Sequence, residues 1–263
     1  MVFVAVSDQH LGAENVDKPA FNRFLEQLQK DSSVTDLVLL GDVVDMWRRD
    51  ASGVFLENKD TFDRVAALQK KMNVHYVAGN HDYHVLRLQG HNYPLTFVRD
   101  VTLQQNGRSI VFRHGYEFDE MQREHFMESL CHAMSDSKGD RDNNLWAALG
   151  RDKGDLGHIF ATIFRRRSML QHAALLLLDP EERLKDSMDR VEKRALASVQ
   201  PNEVLVFGHT HRPFVNKDEN LSNSGSWIKS STIHNTYVRV ENGKPRLFVF
   251  EGEEITERID KIK

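Results

Sequence analysis

Short β-branched and aromatic runs at Val2 to Val6, Leu37 to Leu40, Val74 to Ala78, Ile110 to Phe112 and Val204 to Phe207 constrain this chain more than any other feature. Runs of this kind, bounded by turn-forming residues, read as buried strands. Between the early ones lie helical patterns. Phe21, Phe24, Leu25 and Leu28 recur at spacings of three and four, and Phe62, Val65, Ala66 and Leu68 repeat the same kind of face. Strand, helix, strand, helix predicts a layered α/β sheet.

The pattern changes from about Glu120 to Gln200, where helical stretches follow one another without strand signals. Residues 118–200 are therefore expected to form a helical cap inserted into a single domain. Its clearest helix is predicted to start at Asp179, an N-cap residue, with Pro180 at the first helical position. Leu184, Met188, Val191 and Ala195 would form one apolar stripe, and Glu181 with Lys185 and Asp189 with Lys193 would pair across one turn. Thr236 to Val240 and Arg246 to Phe250 flank Asn242-Gly243, a hairpin signal. Glu253 to Lys263 reads as a short amphipathic helix through Ile255, Ile259 and Ile262.

The chain has 263 residues, enough for one sizeable core, and 35 basic against 39 acidic side chains leave a formal charge of −4. No global field then attracts a polyanion, which makes nucleic acid an unexpected partner. Cys131 is the only cysteine, so no internal disulfide framework exists. Met1 to Val6 lacks a basic leader and a small-residue cleavage site, and the apolar run Ala173 to Leu178 falls well short of the roughly 20 residues that span a bilayer. A cytoplasmic location without a membrane span is expected.

Each strand-like block runs directly into metal-ligand chemistry. Asp8-Gln9-His10 follows the first, Gly41-Asp42 the second, Gly79-Asn80-His81-Asp82 the third, His114-Gly115 the fourth and Gly208-His209-Thr210-His211 the fifth. Singly, each is a common turn or cap. Five together, all at the carboxyl ends of strands where α/β sheets collect their ligands, and all of types that oxygen- and imidazole-binding metals prefer, point to a metal site. The glycines before Asp42, Asn80 and His209 are expected to let the backbone turn sharply at positive φ.

In this order the blocks D-x-H, G-D, G-N-H-D/E, H and G-H-x-H resemble the calcineurin-like metallophosphoesterases. The resemblance implies a two-layer β-sandwich flanked by helices, with a dinuclear metal centre on its carboxyl edge. It implies that Asp8, His10 and His211 hold one metal and Asn80, His114 and His209 the other, with Asp42 bridging both. Two divalent ions are implied, Mn²⁺ first, with Fe or Zn²⁺ accommodated by the same donors. A water shared by such ions becomes hydroxide near neutral pH, placed for attack on phosphorus. By the same resemblance His81 stabilises phosphoryl oxygens or protonates the leaving group, with Asp82 orienting its imidazole.

The expected activity is hydrolysis of a phosphodiester or pyrophosphate bond in a small phosphorylated substrate, such as one derived from a nucleotide. A phosphomonoesterase and, from another class, a non-catalytic metal-binding scaffold are the alternatives. Ser7 to Leu11, Gly41 to Trp47 and Gly208 to Pro213 also resemble the UDP-2,3-diacylglucosamine pyrophosphohydrolases; Met169, Leu170 and Leu175 to Leu178 read at helical spacing as core, with shelter for an acyl chain as the functional reading. Those enzymes generally carry arginine where His81 stands and aspartate where Tyr116 stands. Arg165 to Arg167 read as a solvated face, with a grip on a second phosphate as the functional reading. Asn223-Ser224-Gly225-Ser226 resembles a segment that closes the floor of such sites, with Ser226 in a structural role.

Overall fold

The computed structural model describes residues 1–89, 95–119, 180–229, 231 and 233–257. Two sheets lie face to face between helices, as expected of a mixed α/β sandwich. The first contains β1 (Val2–Val6), β2 (Val34–Leu40), β3 (Asn73–Val77), β4 (Thr96–Val98), β10 (Thr236–Glu241), β11 (Lys244–Val249) and β12 (Glu254–Ile255) in the order β12-β11-β10-β1-β2-β3-β4. The second contains β5 (Asp100–Gln105), β6 (Arg108–Arg113), β7 (Glu203–Phe207), β8 (Phe214–Val215) and β9 (Leu221–Asn223) in the order β5-β6-β7-β9-β8. β1 to β4 run parallel, as do β6, β7 and β9, so each sheet presents an edge of strand C-termini.

The pleat divides the strand residues between two cores. Val2, Val4, Val6, Leu37 and Leu39 pack against Phe21, Phe24 and Leu25 of helix α1 (Lys18–Leu28) and Val65 of helix α3 (Lys59–Leu68). Phe3, Ala5, Val38 and Leu40 point the other way, onto Ile110, Phe112, Val204 and Val206 of the second sheet. Both faces of these strands are covered, which is why the sequence blocks are continuously apolar rather than alternating. Asp17 caps α1, its carboxylate accepting the Ala20 amide at 3.3 Å. A short helix, α2 (Ala51–Glu57), leads into α3.

Helix α4 (Pro180–Ser198) covers the outer face of the second sheet, where Val191 and Ala195 meet Phe207, Leu205 and Phe118. Its first described residue is Pro180, and the expected N-cap Asp179 lies outside the described residues. Its N-terminal end departs from the expected stripe, with Leu184 55% exposed. Asp189 takes Arg212 as its partner rather than Lys193, because Arg212 reaches α4 from the second sheet and presents a fork. Among the described side chains Asp186 pairs with Arg190 along this helix, and the side chain of Glu181, expected to pair with Lys185, lies outside them. Cys131, Arg165 to Arg167, Met169, Leu170 and the apolar run over residues 173–178 lie outside the described residues.

Asn242 and Gly243 take φ of 54° and 75° at the turn between β10 and β11, the left-handed pair that a two-residue hairpin requires. Beyond this hairpin the expected C-terminal helix is not formed at its start. Glu254 and Ile255 pair with Phe248 and Leu247 as strand β12, because the apolar residue there is used on a sheet edge. Among the described residues no helix is long and apolar enough to cross a membrane.

Candidate metal centre

The loops that follow β1, β2, β3, β6 and β7 converge on one buried site. Asp8, His10, Asp42, His209 and His211 all adopt left-handed backbone, with φ of 57°, 50°, 52°, 65° and 56°. For non-glycine residues this conformation costs roughly 1–2 kcal/mol each. Five such residues in one site mean that the surrounding contacts hold the backbone there. The glycines work differently from the expectation. Gly41 has a positive φ of 83°, but Gly79 and Gly208 do not. What they supply is room. A Cβ on Gly79 would stand 2.2 Å from Asp42 Oδ1, and one on Gly208 would stand 2.5 Å from Asp8 Oδ2.

Three acceptors and four imidazoles meet here. His10 Nε2 and His211 Nε2 are 3.3 Å apart, and Asp8 Oδ1 lies 3.1 Å from His211 Nε2 and 3.8 Å from His10 Nε2. On the other side, Asn80 Oδ1 is 3.2 Å from His114 Nε2 and 3.0 Å from His209 Nδ1. Asp42 stands between the groups, its Oδ2 3.7 Å from His10 Nε2 and 3.3 Å from His114 Nε2. The structure thus brings together Asp8, His10, Asp42, Asn80, His114, His209 and His211, with the five loops that carry them.

Supporting contacts fix the orientations. His114 Nδ1 faces Leu40 O at 2.9 Å, which turns Nε2 toward Asp42. The His209 amide donates to Asp8 Oδ2 at 2.9 Å. Below, Asn223 Nδ2 donates to Gly208 O at 2.6 Å, Ser7 Oγ and Ser224 Oγ are 2.6 Å apart, and the Trp227 amide donates to Asp8 O at 3.1 Å. Ser226 Oγ contacts Ser231 Oγ at 3.0 Å, away from the ligand set.

His81 sits beside this cluster, stacked on Trp47 at 4.0 Å between ring centres. Its amide donates to Asp42 Oδ1 at 2.7 Å. The expected partner of its imidazole is corrected by the structure: Nδ1 meets Asp45 Oδ1 at 2.9 Å, not Asp82. Asp82 is turned inward, where it accepts Tyr76 Oη at 2.7 Å, the Val43 amide at 2.8 Å and the Gly79 amide at 2.6 Å. It therefore braces the loops after β2 and β3. Asp45 was missed by the sequence reading; its other oxygen, Oδ2, takes His10 Nδ1 at 3.2 Å and the guanidinium of Arg48.

Burial and mutual charge together shift the ionisation of these groups. Burial disfavours charge on His10, but its hydrogen bond to Asp45 and the neighbouring carboxylates of Asp8 and Asp42 prevail and raise it to about 10. Burial likewise opposes charge on His114, and Asp42 and Asp8 overcome it, again to about 10. Burial would raise Asp8 and Asp42, yet the neighbouring imidazoles hold both below the usual carboxylate range. His211 moves the other way, pushed down by burial with only partial relief from Asp8. Protonated His10 and His114 thus offset the charge of the Asp8 and Asp42 carboxylates.

One observation tests whether these residues fit a metal. Asp8 Oδ1 is fully buried and accepts no hydrogen bond, although imidazole nitrogens surround it. A buried carboxylate oxygen without a partner is costly. Donors on one ion, each about 2.0–2.2 Å from it, lie about 3 Å apart, which matches the Asp8–His211 and Asn80–His209 separations. The donor sets Asp8-His10-His211 and Asp8-Asp42-His114 each bring their ligand atoms within 4.8 Å of one another.

Residues 1–213 match the family model of the calcineurin-like phosphoesterases. The chain belongs to that family, and the membership supports a hydrolase acting on phosphoric esters. Among solved structures it is similar to a phosphodiesterase from an archaeon (12% identity, 95% of this chain and 99% of that chain, TM-score 0.44). It is similar also to a dimetal phosphatase from Danio rerio (14% identity, 95% and 99%, TM-score 0.43) and to Vps29 complexed with Zn²⁺ from Entamoeba histolytica (14% identity, 94% and 90%, TM-score 0.39). No curated protein matches the chain at a significant level.

Proposed function

We propose that the chain hydrolyses a phosphodiester or pyrophosphate bond in a small phosphorylated substrate, using two divalent cations. Asp8, His10 and His211 would hold one cation, Asn80, His114 and His209 the other, and Asp42 would be shared. The unpartnered Asp8 Oδ1, itself fully buried and set among imidazole nitrogens, is the observation that carries this reading. Such cations supply an activated water and neutralise charge on the phosphoryl oxygens. Mn²⁺ is the first expectation for their identity.

The chain's own residues define the rest of the work. Asp45 fixes His81 through Nδ1, which leaves Nε2 of the protonated ring to donate to a phosphoryl oxygen or to the leaving alkoxide. Trp47 stacks on the same ring and limits its rotation. Asn80 contributes a neutral oxygen, so the centre keeps net positive charge for an anionic substrate. The cap expected over residues 118–200 would restrict entry to small substrates through residues 120–179, which lie outside the described residues, since α4 lies on the second sheet; the chain would work in the cytoplasm.

With Mn²⁺ added, the purified protein is expected to hydrolyse bis-(p-nitrophenyl) phosphate and scarcely the monoester. The reverse preference would make it a phosphomonoesterase, and Mn²⁺ binding without turnover of either would make it a scaffold. Asp42→Asn is expected to empty or unbalance both metal positions; full occupancy in that variant would remove the shared role of Asp42.

A further inference from the structure

Helix α4 touches both of the last two donor loops. Arg194 Nη1 donates to Phe118 O at 2.9 Å, in the segment that leaves His114. On the same helix Glu192 receives Arg212 on both oxygens, Nε at 2.8 Å on Oε1 and Nη2 at 2.6 Å on Oε2. Asp189 accepts the same Nη2 at 2.7 Å. Thr210 Oγ1 adds a hydrogen bond to Glu192 Oε1 at 3.2 Å and accepts Asn223 Nδ2 at 3.1 Å. Thr210 separates His209 from His211, and Arg212 follows directly, so Glu192 grips the loop on both sides of His211.

A structural ion pair alone would be a poor use of this position. Glu192 is only 5% exposed, and a buried ion pair is weak support for stability compared with apolar packing of the same volume. What a two-point fork does supply is fixed geometry. The loop it holds needs that, because His209 and His211 both sit in the strained left-handed region.

We propose that Glu192 and Arg212 are positioning residues for the metal centre, locking the loop of His209 and His211 onto α4 and so setting where these imidazoles present their nitrogens. The proposal rests on the dinuclear reading above. It assigns to the helix, which lies outside the donor set, control over how tightly the centre binds its ions.

Mn²⁺ affinity of the folded protein, measured by equilibrium dialysis with elemental analysis, separates the possibilities. No Mn²⁺ uptake by the unaltered protein would overturn the dinuclear reading itself. Given uptake, Arg212→Ala is expected to weaken Mn²⁺ binding about 10- to 100-fold, the usual effect of losing a residue that orients a ligand. Arg212→Lys, which keeps the charge and loses the fork, is expected to recover only part of that loss. A lowered melting temperature with unchanged Mn²⁺ affinity would reduce the pair to a structural role and overturn the proposal. Should Arg212→Ala fail to fold, Glu192→Gln carries the same test: weakened affinity supports positioning, and unaltered affinity overturns it.

Discussion

Asp45 Oδ1 stands 2.9 Å from His81 Nδ1, and this single contact decides which nitrogen of His81 is left to face a substrate. The same carboxylate is fully buried, and burial would raise its pKa; the charges of His81 and His10 and their hydrogen bonds hold it well below the usual range instead. It therefore stays ionised and anchors two imidazoles at once.

Asp45→Asn is accordingly expected to lower turnover by about 10² to 10⁴, the range for losing a general acid. His81→Ala should fall in the same range. Both are to be measured at saturating Mn²⁺, so that any weakening of the His10 ligand does not contribute. Under those conditions the double variant should be about as slow as His81→Ala alone, since residues that act as a unit are not additive. Fully multiplied losses would show that Asp45 works by another route. Asp82→Asn, in contrast, should show mainly as lost stability.

The imidazoles give the metal-free protein a defined pH dependence. His10 and His114 titrate near 10 in the folded chain against an ordinary value of 6.5. Between these values the folded state binds more protons than the unfolded state, so stability declines as pH rises. The contribution is complete below pH 6.5 and lost as pH passes through about 10. Thermal melting of chelator-treated protein should therefore show a Tm that falls across this window. Saturating Mn²⁺ should flatten the decline, because bound cations replace the protons. A metal-free Tm that stays level or climbs from about pH 7 to 9 would contradict the charge states assigned to this pair.

The convergence of the candidate ligand residues was legible because each lies where an apolar block ends, and a strand buried on both faces has few other places to put an Asp or a His. Asp45 was not legible for the opposite reason. It follows two valines in the loop after β2, and no spacing rule says that its two oxygens face imidazoles from the loops after β1 and β3. Asp82 was misjudged from adjacency: it neighbours His81 in the chain, yet at the start of the turn Tyr83–Leu88 the two side chains point apart, one inward to Tyr76 and one to the site. The short strands β4, β8, β9 and β12 escape a pattern search because pairing partners define them. Pattern needs more residues than they have.

Gly79 shows how a residue without a side chain sets the site. Its Cα faces the Asp42 loop so closely that a Cβ would stand 2.2 Å from Asp42 Oδ1 and 2.3 Å from the Asp42 amide nitrogen. Neither atom is free to yield, since Oδ1 accepts the His81 amide and the backbone at Asp42 is already left-handed. Gly79→Ala is expected to cost about 1–3 kcal/mol, the usual scale for forcing volume into a packed site, and to displace Asp42 enough to weaken Mn²⁺ binding. Gly107→Ala provides the comparison: its φ is 75°, but nothing lies within 4 Å of the added carbon. It should lose stability from backbone strain alone and keep its Mn²⁺ affinity. If Gly79→Ala bound Mn²⁺ as tightly as the unaltered protein, close approach to Asp42 would not be the reason glycine stands there.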